Sequence, residues 1–132
     1  MIPPPLSPGL YLCDYVIVEE NTRKVSLIGC FNGIGLDDFP SVPQPFSVFL
    51  ALTDGLGTGR VRLVVGQPEK DEIVYQREGT VHFPDKVTEV YLHFRVRECE
   101  FPEPGLYQFT LLVDNEWVAQ RPIRVYRKGE QS

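Results

Sequence analysis

Hydrophobic residues recur along this chain with a period of two. Over 89–96, Val90, Leu92, Phe94 and Val96 alternate with Glu89, Tyr91, His93 and Arg95, the pattern of a strand with one buried face. The same alternation puts Phe46, Val48, Leu50 and Leu52 on one face over about 46–53. It does so for Val61, Leu63 and Val65 over about 60–66, and for Tyr107, Phe109, Leu111 and Val113 over about 105–113. β-rich runs bounded by turn residues predict further strands over about 10–18, 24–31, 72–77 and 116–126, and the alternating run extends to about 87–96. No stretch sustains a helical period. Of twelve prolines only Pro122 falls inside a predicted strand, which marks that part of the last strand as an edge or a bulge. The pattern predicts an all-β protein, an antiparallel β-sandwich of about eight strands, with a barrel as the alternative.

The first two strands form a hairpin whose register can be tested by charge. Centring the turn on Asn21 and Thr22 places Glu20 opposite Arg23 and Glu19 opposite Lys24, two favourable cross-strand pairs. One face then carries Val18 with Val25, Val16 with Leu27, Asp14 with Gly29 and Leu12 with Phe31. The other carries Ile17 with Ser26, Tyr15 with Ile28 and Cys13 with Cys30. A hairpin with one solvated face is polar on that side, yet both faces here are largely apolar. The hairpin therefore lies deep in the domain, or a partner covers it. We expect an interface centred on Tyr15, Ile17 and Ile28, with Cys13 and Cys30 behind them. Asp14 is expected to point inward beside Gly29 as a buried carboxylate, which needs hydrogen bonds or a cation.

The chain has 132 residues, enough for one domain with a real core. The reading divides it into a Pro-rich arm at 1–9, a single domain at 10–127 and a tail at 128–132. A net charge of −5 argues against nucleic acid as a partner. No apolar run is long enough for a membrane helix, and the first residues lack the features of a signal peptide, so we expect a cytoplasmic protein without a membrane partner. Three cysteines are an odd number for a disulfide framework. Cys13 and Cys30 could be bridged in this register, but buried thiols suit a reducing compartment better.

The runs Leu12-Cys13-Asp14-Tyr15-Val16, Lys24-Val25-Ser26-Leu27-Ile28-Gly29, Gly105-Leu106-Tyr107-Gln108-Phe109 and Arg121-Pro122-Ile123-Arg124-Val125 resemble an uncharacterised bacterial family of small domains. The Gly-x-Tyr-x-Phe hairpin also resembles that of many immunoglobulin-like sandwiches. Asn115 stands where that hairpin often has Gly. The resemblance implies an immunoglobulin-like sandwich and a bacterial origin, and it carries no activity with it.

Candidate chemistry is sparse. Gly55-Leu56-Gly57-Thr58-Gly59 has the composition of a phosphate loop but precedes a strand, not a helix, and reads as a turn. His82 and His93 are the only histidines, and no serine lies in a nucleophile-elbow motif. No catalytic residue and no cofactor is predicted. The expected function is a non-enzymatic module that binds a protein partner or forms a homo-oligomer. The alternative is a loop-based ligand module for Ca²⁺ or carbohydrate. If every connection reverses the chain, Asp37, Asp38, Glu69, Asp71, Glu98, Glu100 and Glu103 share one pole, with Asp37, Asp38 and Asp71 as weak metal candidates. An enzyme of unknown type is a third possibility.

Overall fold

The alternating runs fold as strands because each can bury one face only by packing against another sheet. In the computed structural model, which describes Pro5, Ser7 and residues 9–129, these strands form two sheets. The rest of the Pro-rich arm and positions 130–132 of the tail lie outside the described residues. The strands are β1 (Leu10–Val18), β2 (Val25–Phe31), β3 (Gly33–Leu36), β4 (Phe46–Leu52), β5 (Gly57–Gln67), β6 (Glu72–Phe83), β7 (Val90–Val96), β8 (Gly105–Val113) and β9 (Glu116–Arg127). One sheet has the order β2-β1-β4-β7 and the other β3-β9-β8-β5-β6. The protein is an all-β, immunoglobulin-like sandwich. Among the described residues no helix is long and apolar enough to cross a membrane.

The core is built from the predicted inward positions. Val48, Leu50 and Leu52 of β4 face Leu63 and Val65 of β5 and Phe109 and Leu111 of β8 within one buried cluster. Aromatic edges link the layers: Phe31 meets Phe46 at 5.7 Å and Phe46 meets Phe109 at 6.0 Å, both T-shaped. The last hairpin turns at Asp114 and Asn115, whose φ values of 50° and 65° suit these two residue types.

Three differences from the sequence reading have physical causes. The long Gly- and Pro-rich connection after β2 contains the short β3, which pairs in parallel with β9 through Gly33–Leu36 and Arg124–Arg127. The sheet is therefore mixed, and the strand count rises to nine among the described residues. β6 continues to Phe83 through the exposed residues Gln76–Thr80; hydrogen bonding to β5 holds this polar stretch where burial does not. Residues 87–89, included in the predicted strand, precede β7, and Val87 is exposed. Pro122 behaves as expected: it pairs with Gln108 of β8, and β3 reaches β9 only from Arg124 onward, so its missing N–H costs no ladder bond on the open side.

A tyrosine corner fixes the entry to β8. The ring of Tyr107 is fully buried against Phe101, at 4.9 Å between centroids. Its hydroxyl donates to the Glu103 carbonyl at 2.6 Å, four residues upstream, as in other immunoglobulin-like sandwiches. Tyr107→Phe is expected to lower unfolding stability by about 1–2 kcal/mol, because the ring stays packed while a partly buried carbonyl loses its donor. Urea denaturation checks this: the midpoint falls and the slope is unchanged.

Candidate functional site

β1 has two neighbours over only part of its length. It pairs with β4 from Leu10 to Cys13, where β4 runs out at Ser47 and Phe46. It pairs with β2 throughout, with Val18 opposite Val25 and Leu12 opposite Phe31. The predicted register holds at every observed pair. Beyond Cys13 the hairpin is thus a two-stranded ribbon without a third strand beside β1. Tyr15 is 59% exposed, Ile17 52% and Ile28 46%. On the opposite face Val18 is exposed, and Val16, Val25 and Leu27 are only half-buried. Two-stranded ribbons are marginal in water, and this one carries apolar side chains on both faces.

Arg95 of β7 props the base of the ribbon. Its Nη1 donates to the Asp14 carbonyl at 2.5 Å and to Ser47 Oγ at 3.1 Å. Its guanidinium lies 5.2 Å from the centre of the Tyr15 ring, a cation–π contact. One side chain thus ties β7 to β4 and β1. Ser47 Oγ also lies 2.7 Å from His93 Nε2. Since arginine only donates, the serine proton is free to point at the imidazole. Phe49 and Tyr91 continue the surface, their rings 5.3 Å apart. The outward alternation of Tyr91, His93 and Arg95 is visible in the sequence; their juxtaposition with Ser47 and Tyr15 depends on the non-local order of the strands.

The five expected interface residues share the outer face, with one correction. Tyr15, Ile17, Ile28 and Cys30 are exposed, whereas Cys13 is fully buried, its thiol donating to the Tyr15 carbonyl at 3.4 Å. Burial, with the neighbouring Cys30 and Asp14 adding to it, pushes the Cys13 thiol pKa upward. Cys13 supports the patch from beneath and cannot touch a partner. Cys13 and Cys30 face each other as free thiols.

Asp14 requires a larger correction: it is exposed, not buried. The register is right and the environment is not, because the opposite sheet does not cover this part of β1. Gly29 has φ +69°, and a side chain there would run into the Asp14 carboxylate. The room foreseen beside Gly29 is real, but it opens to solvent.

The acidic pole does not form a cation site. Among the described residues no three His, Cys, Asp or Glu side chains are placed to hold a metal ion. Arg127 lies 3.8 Å from Asp38 and donates to the Asp37 carbonyl. Asp71 instead closes the one-turn helix Pro68–Lys70 with φ 52°. Lys70 neutralises Glu103 at 2.6 Å. Gly57–Gly59 belong to β5, so the glycine-rich stretch leads into a strand as expected.

Ser47 and His93 have the distance of a nucleophile and its base but not the setting. Ser47 has no exposed surface, and its oxygen is engaged by Arg95. Among the described residues no carboxylate is hydrogen-bonded to His93, so nothing orients the ring as in a triad. The pair is a structural tie between β4 and β7. Burial, and then the Arg95 charge, holds the His93 pKa below its ordinary value. The unfolded chain therefore takes up the proton first as pH falls through about 6.5, and stability is lost in that direction. The melting temperature is expected to be lower at pH 5.5 than at pH 7.5. His93→Gln should flatten that dependence, leaving the carboxylates to act at more acidic pH. Thermal melts across this range check it.

Comparison with curated proteins finds no match. Among solved structures the chain is similar to the CARDB domain of the PF1109 protein of Pyrococcus furiosus, solved in complex with di-metal ions. That likeness has a TM-score of 0.42 at 14% identity and covers 95% of this chain and 91% of that one. A family model of unknown function, DUF6941, matches residues 9–126, from just before β1 almost to the end of β9. The chain belongs to that family of unknown function, DUF6941.

Proposed function

We propose that this protein is a non-enzymatic interaction module that associates with protein through the outer face of the β1–β2 ribbon. The observation that carries this reading is the exposure of Tyr15, Ile17 and Ile28 on a ribbon with no third strand beside it. Fully burying a large apolar side chain is worth about 1.5–3 kcal/mol, so these three residues hold several kcal/mol available to a partner. Tyr and Ile beside Arg95 also match the composition of interface centres, where aromatics and arginine are enriched. The charged turn residues Glu19, Glu20, Arg23 and Lys24 mark where the apolar strip ends. The net charge of −5 favours protein over nucleic acid as the partner. The unbridged, directly opposed Cys13 and Cys30 support a reducing compartment, and the cytoplasm is part of this proposal.

The test is Tyr15→Lys combined with Ile28→Lys. The variant is expected to keep the wild-type far-ultraviolet circular dichroism spectrum and melting temperature, because both side chains already meet water. It should lose self-association in sedimentation, or lose the partner retained by the wild-type chain from its native cell extract. A variant that unfolds shows that the face belongs to the monomer core, and a folded variant with unchanged association places the contact elsewhere.

A further inference from the structure

We infer that the open edge of β2 docks a second copy of this chain, antiparallel and about a two-fold axis, so that two ribbons join into one continuous sheet. This rests on the association reading above and names its partner.

The backbone groups available at that edge follow from the turn. The Glu19 N–H donates to the Lys24 carbonyl at 2.8 Å, which makes Glu19–Lys24 a hydrogen-bonded pair. Bonded and non-bonded pairs alternate along an antiparallel ladder. Ile17–Ser26, Tyr15–Ile28 and Cys13–Cys30 are therefore bonded pairs. The N–H and C=O groups of Val25, Leu27 and Phe31 consequently point away from β1, and β2 ends its sheet. Folded proteins guard such edges with charge, proline, a bulge or brevity. The other edge strands are guarded here: β6 carries Glu72, Arg77 and Glu78, β7 carries Arg95, and β3 has four residues. β2 reads Val-Ser-Leu-Ile-Gly-Cys-Phe, with neither charge nor proline.

Charge and shape select a second copy. A groove of about 840 Å³ adjoins Gly29–Phe31, at the end of β2. Its apolar lining includes Phe31, Ile34 and Phe46, and its charges are Asp14, Asp37 and Asp38 against Lys128. Antiparallel pairing brings the start of an incoming β2 alongside this end. That start carries Arg23 and Lys24 to meet the aspartates, followed by Val25 and Leu27, half-buried in one copy, to enter the groove. Glu19 and Glu20 sit on the β1 side of the turn, away from the edge. Two-fold symmetry forms each contact twice. It also turns two marginal two-stranded ribbons into one four-stranded sheet, with Ile28 of both copies on its outer face.

Sedimentation of the full chain across the micromolar range should show a dimer. Arg23→Glu with Lys24→Glu should raise its dissociation constant about tenfold, and adding Asp14→Lys and Asp37→Lys to the same chain should restore it. Residue-resolved amide exchange supplies a readout of the edge itself. The Leu27 and Phe31 amides should slow as the dimer forms, whereas Ile28, bonded to β1, is protected at every concentration. A monomer throughout, or a dimer in which the Leu27 and Phe31 amides stay fast, overturns the inference. A dimer with fast edge amides that Tyr15→Lys dissociates is a face-to-face contact: the edge inference then fails while the association reading stands. If no association of any kind responds to Tyr15→Lys or to the charge reversals, both fail.

Discussion

The surface of this protein depends on the unequal company that β1 keeps. Four of its residues, Leu10 to Cys13, lie between β2 and β4, and this part is the only fully buried stretch of the strand. From Asp14 onward the strand has β2 alone. Hydrogen-bonded pairing continues, but burial does not, because burial needs a third strand beside the ribbon or a sheet across from it. The same residue types therefore have opposite fates on one strand: Leu12 is core and Ile17 is surface. Arg95 marks the transition. It reaches from β7 across β4 to the Asp14 carbonyl and the Tyr15 ring, so the ribbon leaves the sandwich from a fixed base.

The rest of the molecule is a conventional two-layer core. Inward residues of β4 and β7 pack on those of β5, β8 and β9, and Phe46 bridges the layers through Phe31 and Phe109. Polar ties close the periphery. Arg121 of β9 donates to the Leu10 carbonyl at 2.6 Å and joins the sheets where β1 begins. Backbone bonds between Ser41 and Phe101, at 2.9 and 3.1 Å, fasten the connection before β4 to that before β8. Such ties leave the groove beside β2 with firm walls, since Phe46 and Ile34 on its lining belong to strands of different sheets.

The titratable groups behave as structural parts. The Cys99 thiol is pushed up to about 12 by burial alone, so it stays protonated and inert at neutral pH. His93 is held neutral between Ser47 and Arg95. Asp85, lowered by the Thr88 and Val87 amides and the Thr88 hydroxyl, caps its own loop. None of these arrangements brings a nucleophile, an acid and an open cleft together. What the surface offers instead is apolar area and unpaired backbone, and those are the means of association.

Local chemistry determined a good deal of this protein. The period-two pattern defines most of the strands and nearly all of the core, since alternation is a property of each strand taken singly. Opposite charges flanking a polar turn were enough to set the β1–β2 register, because a hairpin closes over a few residues. The tertiary structure decided what no single strand contains. It placed β3 beside β9, a parallel contact made across the length of the chain. It brought Ser47, His93 and Arg95 together through strand order. It also left Asp14 and Ile17 in water, because the reach of β4 and of the opposite sheet determines how much of a hairpin is covered. Register is local and travels with the sequence; burial depends on which neighbours arrive, and only the assembled sandwich supplies them.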